Sequence, residues 1–331
     1  MWKPILFLLL LTACQIEPEM EQCPYTARLE YWYTGSGGTT VNILPNYIYT
    51  LNEFIFDSEG ILRQVFTRRA RKGVAAELDL PPGKYTLVTW ANADSLSLLS
   101  GAELNVSRLP ELLLYPDNGV TRSLSPWQEN TNRLYYGYAT FTIGEHGVTR
   151  QRIDMTHSHL RLGVTIKWKG SAPQDSGNLI MTLSNVPAGY RFMPEFEIKG
   201  VSYDSYRADN EEGTSREGIY YYIPMKPDNY PLLNYRRGVQ MDITRQVRTD
   251  FITHRLKDDT HPVLCLYDGS KALIKEVDLY KYFRTMQIDL DQNLCQEFDI
   301  VVEVDEYGSI AVFSAVVSDW IDGGTVGGGG F

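Results

Sequence analysis

The most constraining feature of this chain is a nine-residue alternation in its middle. Leu160, Leu162, Val164, Ile166 and Trp168 fall on one side, and His159, Arg161, Thr165, Lys167 and Lys169 on the other. Successive side chains of a strand point to opposite faces, so this segment reads as a strand in a sheet with one dry and one wet face. Shorter runs repeat the theme at 28–33, 51–56, 61–66, 85–90 and 135–143. The 22 tyrosines and six tryptophans agree, because aromatic residues suit a pleated, half-buried surface. Both faces of the 85–90 segment carry large side chains, so both are expected to be partly buried. Many short strands separated by turns are most economically packed as two β-sandwiches with few short helices.

The turns carry their own chemistry. Asp57-Ser58-Glu59-Gly60 marks a hairpin between 51–56 and 61–66, since Asp and Ser bond their own backbone and Gly accepts a positive φ. Pro82-Gly83 suits the centre of a type II turn. A short helix is expected near 95–99, and Gly144-Glu145-His146-Gly147 turns the 135–143 strand into 148–155. We place a domain boundary near Gln151, giving sandwiches over 25–150 and 151–322. Val186-Pro187-Ala188-Gly189-Tyr190 echoes Leu80-Pro81-Pro82-Gly83-Lys84-Tyr85, in keeping with two similar domains. A strand is expected over 218–224, a hairpin over 263–277, helical turns over 278–286, and a last hairpin joining 298–304 to 309–317 through Asp305-Glu306-Tyr307-Gly308. The tail 323–331 is too glycine-rich to pack.

The N-terminus fixes where the chain works. Lys3, an apolar run over 5–11 and the small residues Thr12 and Ala13 form a secretory signal, 1–13, too short for the roughly 20 residues that span a bilayer. Leu11-Thr12-Ala13-Cys14 resembles the bacterial lipobox, so Cys14 is the expected lipid attachment site. Each buried methylene contributes about 0.8 kcal/mol, so two or three acyl chains hold a protein on a membrane. Residues 14–24, with Glu17, Glu19 and Glu21, read as a solvated acidic linker and resemble the surface-export signal of Bacteroidetes lipoproteins.

Composition excludes several functions. The net charge of -10 opposes phosphate neutralisation, so no nucleic-acid partner is expected. The one basic run, Arg68-Arg69-Ala70-Arg71-Lys72, reads as a solvated loop. No metalloprotease, serine-hydrolase or phosphate-loop motif is present, and no spacing nominates a carboxylate pair, so neither enzyme nor cofactor is expected. His157 and His159 share a strand face and could ligate a metal, but they share it also with Arg161 and Lys167. They read as two exposed histidines and no metal site is assigned. His146, His254 and His261 fall in loop-like contexts. With Cys14 acylated, three cysteines remain. Cys265 and Cys295 could pair in an oxidising compartment, or stand as two buried thiols.

The lipobox, Ile55-Phe56-Asp57-Ser58-Glu59-Gly60, the run from Leu80-Pro81-Pro82-Gly83 to Trp90-Ala91-Asn92, and Val317-Ser318-Asp319-Trp320 together resemble the FimB-type fimbrial anchor lipoproteins of Bacteroidetes type V pili. The resemblance implies an all-β chain of two tandem transthyretin-like β-sandwich domains. It also implies an outer-membrane location through Cys14, fimbrial pilin subunits as partners, and a place at the fimbrial base, with accessory, stalk and tip roles in the broader class. Pilin binding would then use strand addition at an edge strand or an open groove of one sandwich. The competing expectation is a surface glycan-binding lipoprotein, which needs exposed aromatic platforms such as Trp32, Trp127 or Trp168. The residues nominate no host receptor or glycan.

Overall fold

The computed structural model describes residues 24–35, 40–70, 75–93, 97–99, 101–116, 127–128, 130–169, 179–187, 189–194, 203–206, 219–224, 246–258, 261–268, 271–293 and 295–317. Its strands in the first half are β1 (Ala27–Trp32), β2 (Thr50–Phe56), β3 (Leu62–Arg69), β4 (Ala75–Leu78), β5 (Gly83–Ala91), β6 (Ser97–Leu99), β7 (Leu113–Pro116), β8 (Trp127–Gln128), β9 (Tyr135–Ile143) and β10 (Thr149–His157). The second half contributes β11 (Leu160–Trp168), β12 (Leu179–Val186), β13 (Gly189–Pro194), β14 (Tyr203–Tyr206), β15 (Ile219–Pro224) and β16 (Gln246–Thr253). It continues with β17 (Val263–Asp268), β18 (Lys271–Ala272), β19 (Val277–Asp278), β20 (Gln296–Val304) and β21 (Ile310–Val317). Helices are short: α1 (Leu44–Tyr47) and α2 (Leu279–Thr285). The fold is all-β, as the alternation requires.

Seven strands run in the order β3-β2-β5-β9-β10-β1-β4. The path turns a corner at β10. Its residues 149–154 pair in parallel with β1, whereas Met155–His157 pair antiparallel with β9. A strand shared between two sheets lets them fold face to face. Leu29 and Tyr31 of β1 thereby meet Leu51, Ile55, Leu87 and Phe141 in one buried cluster. The opposite face of β2 and β5 is buried as well, with Phe54, Phe56, Val88 and Trp90 packed on Leu112, Leu114, Tyr190 and Phe192. This agrees with the two-sided burial expected for 85–90.

In the second half the sheet β16-β11-β20-β21 stacks on the sheet β18-β17-β12-β15-β8, whose last strand comes from the first half. Leu160, Leu162, Val164, Ile166 and Trp168 all face the resulting core, together with Met181, Leu266, Phe283, Phe298 and Ile300. A small sheet, β14-β13-β7-β6, carries residues from both halves. Gln151, the expected boundary, lies inside β10, and the chain passes from β10 to β11 through Ser158 and His159 alone.

Three local expectations need correction. Gly83 is not the left-handed centre of a type II turn. It starts β5 opposite Ile143, and extended pairing leaves no place for a positive φ. Residues 97–99 form β6 rather than a helix, because Ser97–Leu99 pair with Leu114–Pro116. Arg68 and Arg69 belong to β3 rather than to a loop. Arg68 Nε donates to the buried Glu53 carboxylate at 2.5 Å, and Tyr31 from the facing sheet donates to its other oxygen at 2.5 Å. Burial, then the charge of Glu53, raises the Tyr31 pKa well above its usual value. The rest of the basic run, with the tail 323–331, lies outside the described residues.

The hairpins at 57–60 and 305–308 are as read. The Asp57 Oδ1 accepts from the backbone of Glu59 and Ile61, and Asp305 Oδ1 from Tyr307 and Ser309. Gly308 has φ +74°, and a Cβ there would collide with the Leu273 carbonyl oxygen. Gly147 has φ +82° with open space around it. Gly308→Ala should therefore cost about 2 kcal/mol, more than Gly147→Ala, which bears the left-handed penalty of about 1 kcal/mol alone. Urea unfolding of the two variants reads the difference, and equal losses would remove the steric argument.

Candidate functional site

Two regions carry features beyond core packing: the outer edge of β21, and a buried polar joint where β10 passes into β11.

Among the described residues, β3 and β4 end the seven-stranded sheet, while β16 and β21 end the sheet containing β11. Edge strands present unpaired backbone groups, and proteins usually blunt them with charge or brevity. β3 carries Arg63, Arg68 and Arg69, β16 carries Arg248 and Asp250, and β4 has four residues. β21 is different. Its eight residues, IAVFSAVV, include no charge, and it pairs with β20 alone among the described strands. Val312 is 41% exposed, and Tyr307, at the hairpin tip, is 81% exposed. Tyr282 of α2 stacks on Phe313 at 4.3 Å between ring centroids, holding the strand from its inner side.

The joint is polar and dry. His157, Ser158, His159 and His254 are all buried. This overturns the expectation of two exposed histidines. His159 does share strand parity with Arg161, but at this end of β11 the outer face of the sheet is covered by Leu134 and Tyr135 from the other half. The Tyr135 ring meets both imidazoles edge-on, at 5.6 and 5.5 Å. Glu297, at the start of β20, brings Oε1 to 3.5 Å from His157 Nε2 and 3.8 Å from His159 Nε2. Arg133 Nη1 stands 3.6 Å from the same oxygen.

Backbone groups knit the two halves around these side chains. Ser158 N–H donates to Leu134 O, Tyr190 O–H donates to Ser158 O, and Arg255 N–H donates to Tyr190 Oη. Tyr190 also stacks on Trp90 at 5.3 Å, while Tyr136 O–H donates to Phe192 O at 2.7 Å. The buried Arg255 guanidinium donates to the carbonyls of His157, Leu290 and Asn293.

Electrostatics follow from the burial. Desolvation, reinforced by the neighbouring His159, pulls the His157 pKa down to about 3, and desolvation likewise lowers that of His159. The two imidazoles that reach Glu297 hold its carboxyl well below the usual range. His254, whose Nδ1 lies 3.1 Å from Pro187 O, is pulled down to about 4 by burial.

Elsewhere, His146 is exposed in its turn, and His261 is exposed with Nδ1 3.3 Å from Asp278. No disulfide joins Cys265 to Cys295, and both are buried thiols. Trp168 is buried in the core, and Trp32 is half-buried with the Arg152 guanidinium 4.4 Å over its ring. Cys14 and the side chain of Trp127 lie outside the described residues. Sequence reading missed Glu297, Arg133, Tyr190 and Arg255. Glu297 sits 138 residues beyond His159, and only the register pairing Arg161 with Glu297 brings it there.

The chain is all-β with stacked sheets, and among its described residues no helix is long and apolar enough to cross a membrane. A family model described as fimbrillin-A associated anchor proteins Mfa1 and Mfa2 matches residues 20–321. The chain belongs to that family, which is one of anchor proteins and not of enzymes, and which associates it with fimbriae at the cell surface.

Solved structures share the fold. The fimbrial anchor protein Mfa2 from Porphyromonas gingivalis matches with TM-score 0.61 and 17% identity, over 88% of this chain and 97% of that one. A Bacteroides thetaiotaomicron protein provisionally assigned to polysaccharide binding matches with TM-score 0.63 and 15% identity, over 89% and 96%. A second protein from that organism, provisionally assigned as an adhesin, gives 0.62 and 13%, over 90% and 97%. No curated protein matches the sequence.

Unfolding should report the dry joint. The unfolded chain protonates His254 as pH falls through about 6.5, while the folded chain resists until about pH 4. Stability from this residue is therefore present above pH 6.5 and lost on acidification. Between pH 7 and pH 5 the loss is about 2 kcal/mol. His254→Gln should flatten the change in urea unfolding free energy by that amount, and an unaltered pH dependence would contradict the assignment.

Proposed function

We propose that the chain is a lipid-anchored outer-membrane lipoprotein that holds the base of a fimbria, binding a pilin subunit by strand addition at β21 and limiting fibre growth. The carrying observation is the uncharged, eight-residue edge of β21. An incoming strand would gain main-chain hydrogen bonds there, and Val312 and its neighbours would select the side chains facing them. Family membership supports the anchoring role. The signal at 1–13, acylation of Cys14 and the acidic linker 14–24 supply the attachment to the membrane, with the exposed cell surface as destination.

In this reading the strands on either side of Ser158–His159 act as two tandem sandwich domains of transthyretin-like type. Two core clusters favour it, one drawn from residues 27–155 and one from 160–304, with a third that packs Tyr190 and Phe192 on Phe54 and Trp90 and joins the halves. The glycan-binding alternative draws on the polysaccharide-binding assignment of a structural neighbour. It loses two of its aromatic platforms, since Trp168 is buried and Trp32 is capped by Arg152. Accessory and tip roles differ from the base role in where the protein sits along the fibre.

Cys14→Ala should release fimbriae into the medium while export and folding persist. Fractionation of cell-bound and shed fibres reads this, and unchanged attachment would point to an accessory or tip subunit. Val312→Lys places a charge on the edge. It should weaken binding of a pilin donor-strand peptide by at least about tenfold with little change in stability. Calorimetry checks it, and equal binding by the variant would exclude β21 as the docking edge.

A further inference from the structure

We propose that His157, His159 and Glu297 form a binding site for one divalent transition-metal ion of the zinc class, placed where β10 passes into β11.

The argument begins with a tautomer. His159 Nδ1 lies 3.0 Å from the Leu134 carbonyl oxygen, which can only accept, so Nδ1 carries the hydrogen. In the neutral ring Nε2 is then a lone-pair acceptor. It is buried without a hydrogen-bond partner and faces Glu297 Oε1, another acceptor, at 3.8 Å. Two acceptors opposed in this way repel unless a positive centre, a shared proton or a metal ion, lies between them. A proton on Nε2 is one such centre, and a metal ion among the three converging ligand atoms is another. A metal ion meets the requirement with both imidazoles neutral, the form in which histidine ligates.

The geometry suits such an ion. One ligand atom from each of the three residues lies within 4.8 Å of the others. Bond lengths of about 2.0–2.2 Å to zinc would draw these atoms inward by no more than roughly 1 Å. Glu297 is 19% exposed at its side chain, so it can make that shift, and it marks the route by which the ion and a completing water reach the site. Two imidazoles with one carboxylate favour zinc or its neighbours over calcium or magnesium, which take oxygen ligands. The hydrogen bond from His159 Nδ1 to Leu134 O is the kind of outer contact that orients a ligating imidazole.

Arg133 is the competing cation. Its guanidinium reaches Glu297 Oε1 at 3.6 Å, but at 42% exposure it can withdraw into solvent when a metal takes that oxygen. Arg255 is committed to main-chain carbonyls and stays. The bound ion would fasten both histidines flanking Ser158 to β20, and so clamp the passage between the two halves.

The test uses the full chain, stripped with a chelator and then dialysed against limiting Zn2+. Elemental analysis should find about one zinc per folded chain. Glu297→Gln and His159→Gln should each weaken binding by at least about tenfold, while the exposed His261→Gln control binds as the parent does. Zinc should raise the thermal midpoint of the parent and of the control only. Zinc-edge X-ray absorption on the parent chain should show two imidazoles in the first shell, a readout that does not depend on any variant folding. The proposal is overturned if the folded parent binds no zinc, if the two ligand variants bind as the parent does, or if the absorption spectrum shows fewer than two imidazoles.

Discussion

The arrangement depends on a two-residue passage. β10 ends at His157 and β11 begins at Leu160, so only Ser158 and His159 separate a strand of one group of sheets from a strand of the next. So short a connection forces the strand ends together and excludes water from the polar groups at the junction. Such groups must then find partners in the protein. The partners come from both sides: Leu134 O for the amide of Ser158, Tyr190 Oη for its carbonyl, and Arg255 for the carbonyl of His157. Tyr190 extends the link by stacking on Trp90, which lies on β5 in the first half. These shared bonds couple the strand ends on both sides of the passage.

The edge of β21 is tied to the joint through the sheet. β21 pairs with β20, β20 pairs with β11, and β11 leaves the joint directly. The edge is thus two ladders away from the passage at Ser158. The other edges among the described residues are defended by charge or by brevity, as sheet edges usually are. Membership of a fimbrial anchor family fits a chain that carries an uncharged strand edge among its described residues.

Much of this was legible in the residues. Asp57–Gly60 and Asp305–Gly308 announced their hairpins because an Asp side chain and a left-handed Gly act over four residues. The 160–168 strand announced itself by its alternation. Gly83 misled because Pro-Gly satisfies a type II turn locally, while pairing with Ile143 rewards an extended backbone more. Arg68 misled because a basic run looks solvated until Glu53 is found buried opposite it.

The sequence by itself determined the strongly patterned strands, the hairpins at 57–60 and 305–308, the dry face of β11 and, as an expectation, export and acylation at Cys14, since each is written in neighbouring residues. Tertiary structure alone decided the fate of His157 and His159. Alternation states on which side of a sheet a residue lies, but not what covers that side. Leu134 and Tyr135 cover it, and the parallel register of β11 and β20 sets Glu297 beside the imidazoles. Distance along the chain carries no signal for such a meeting, because it is made by packing and not by local pattern.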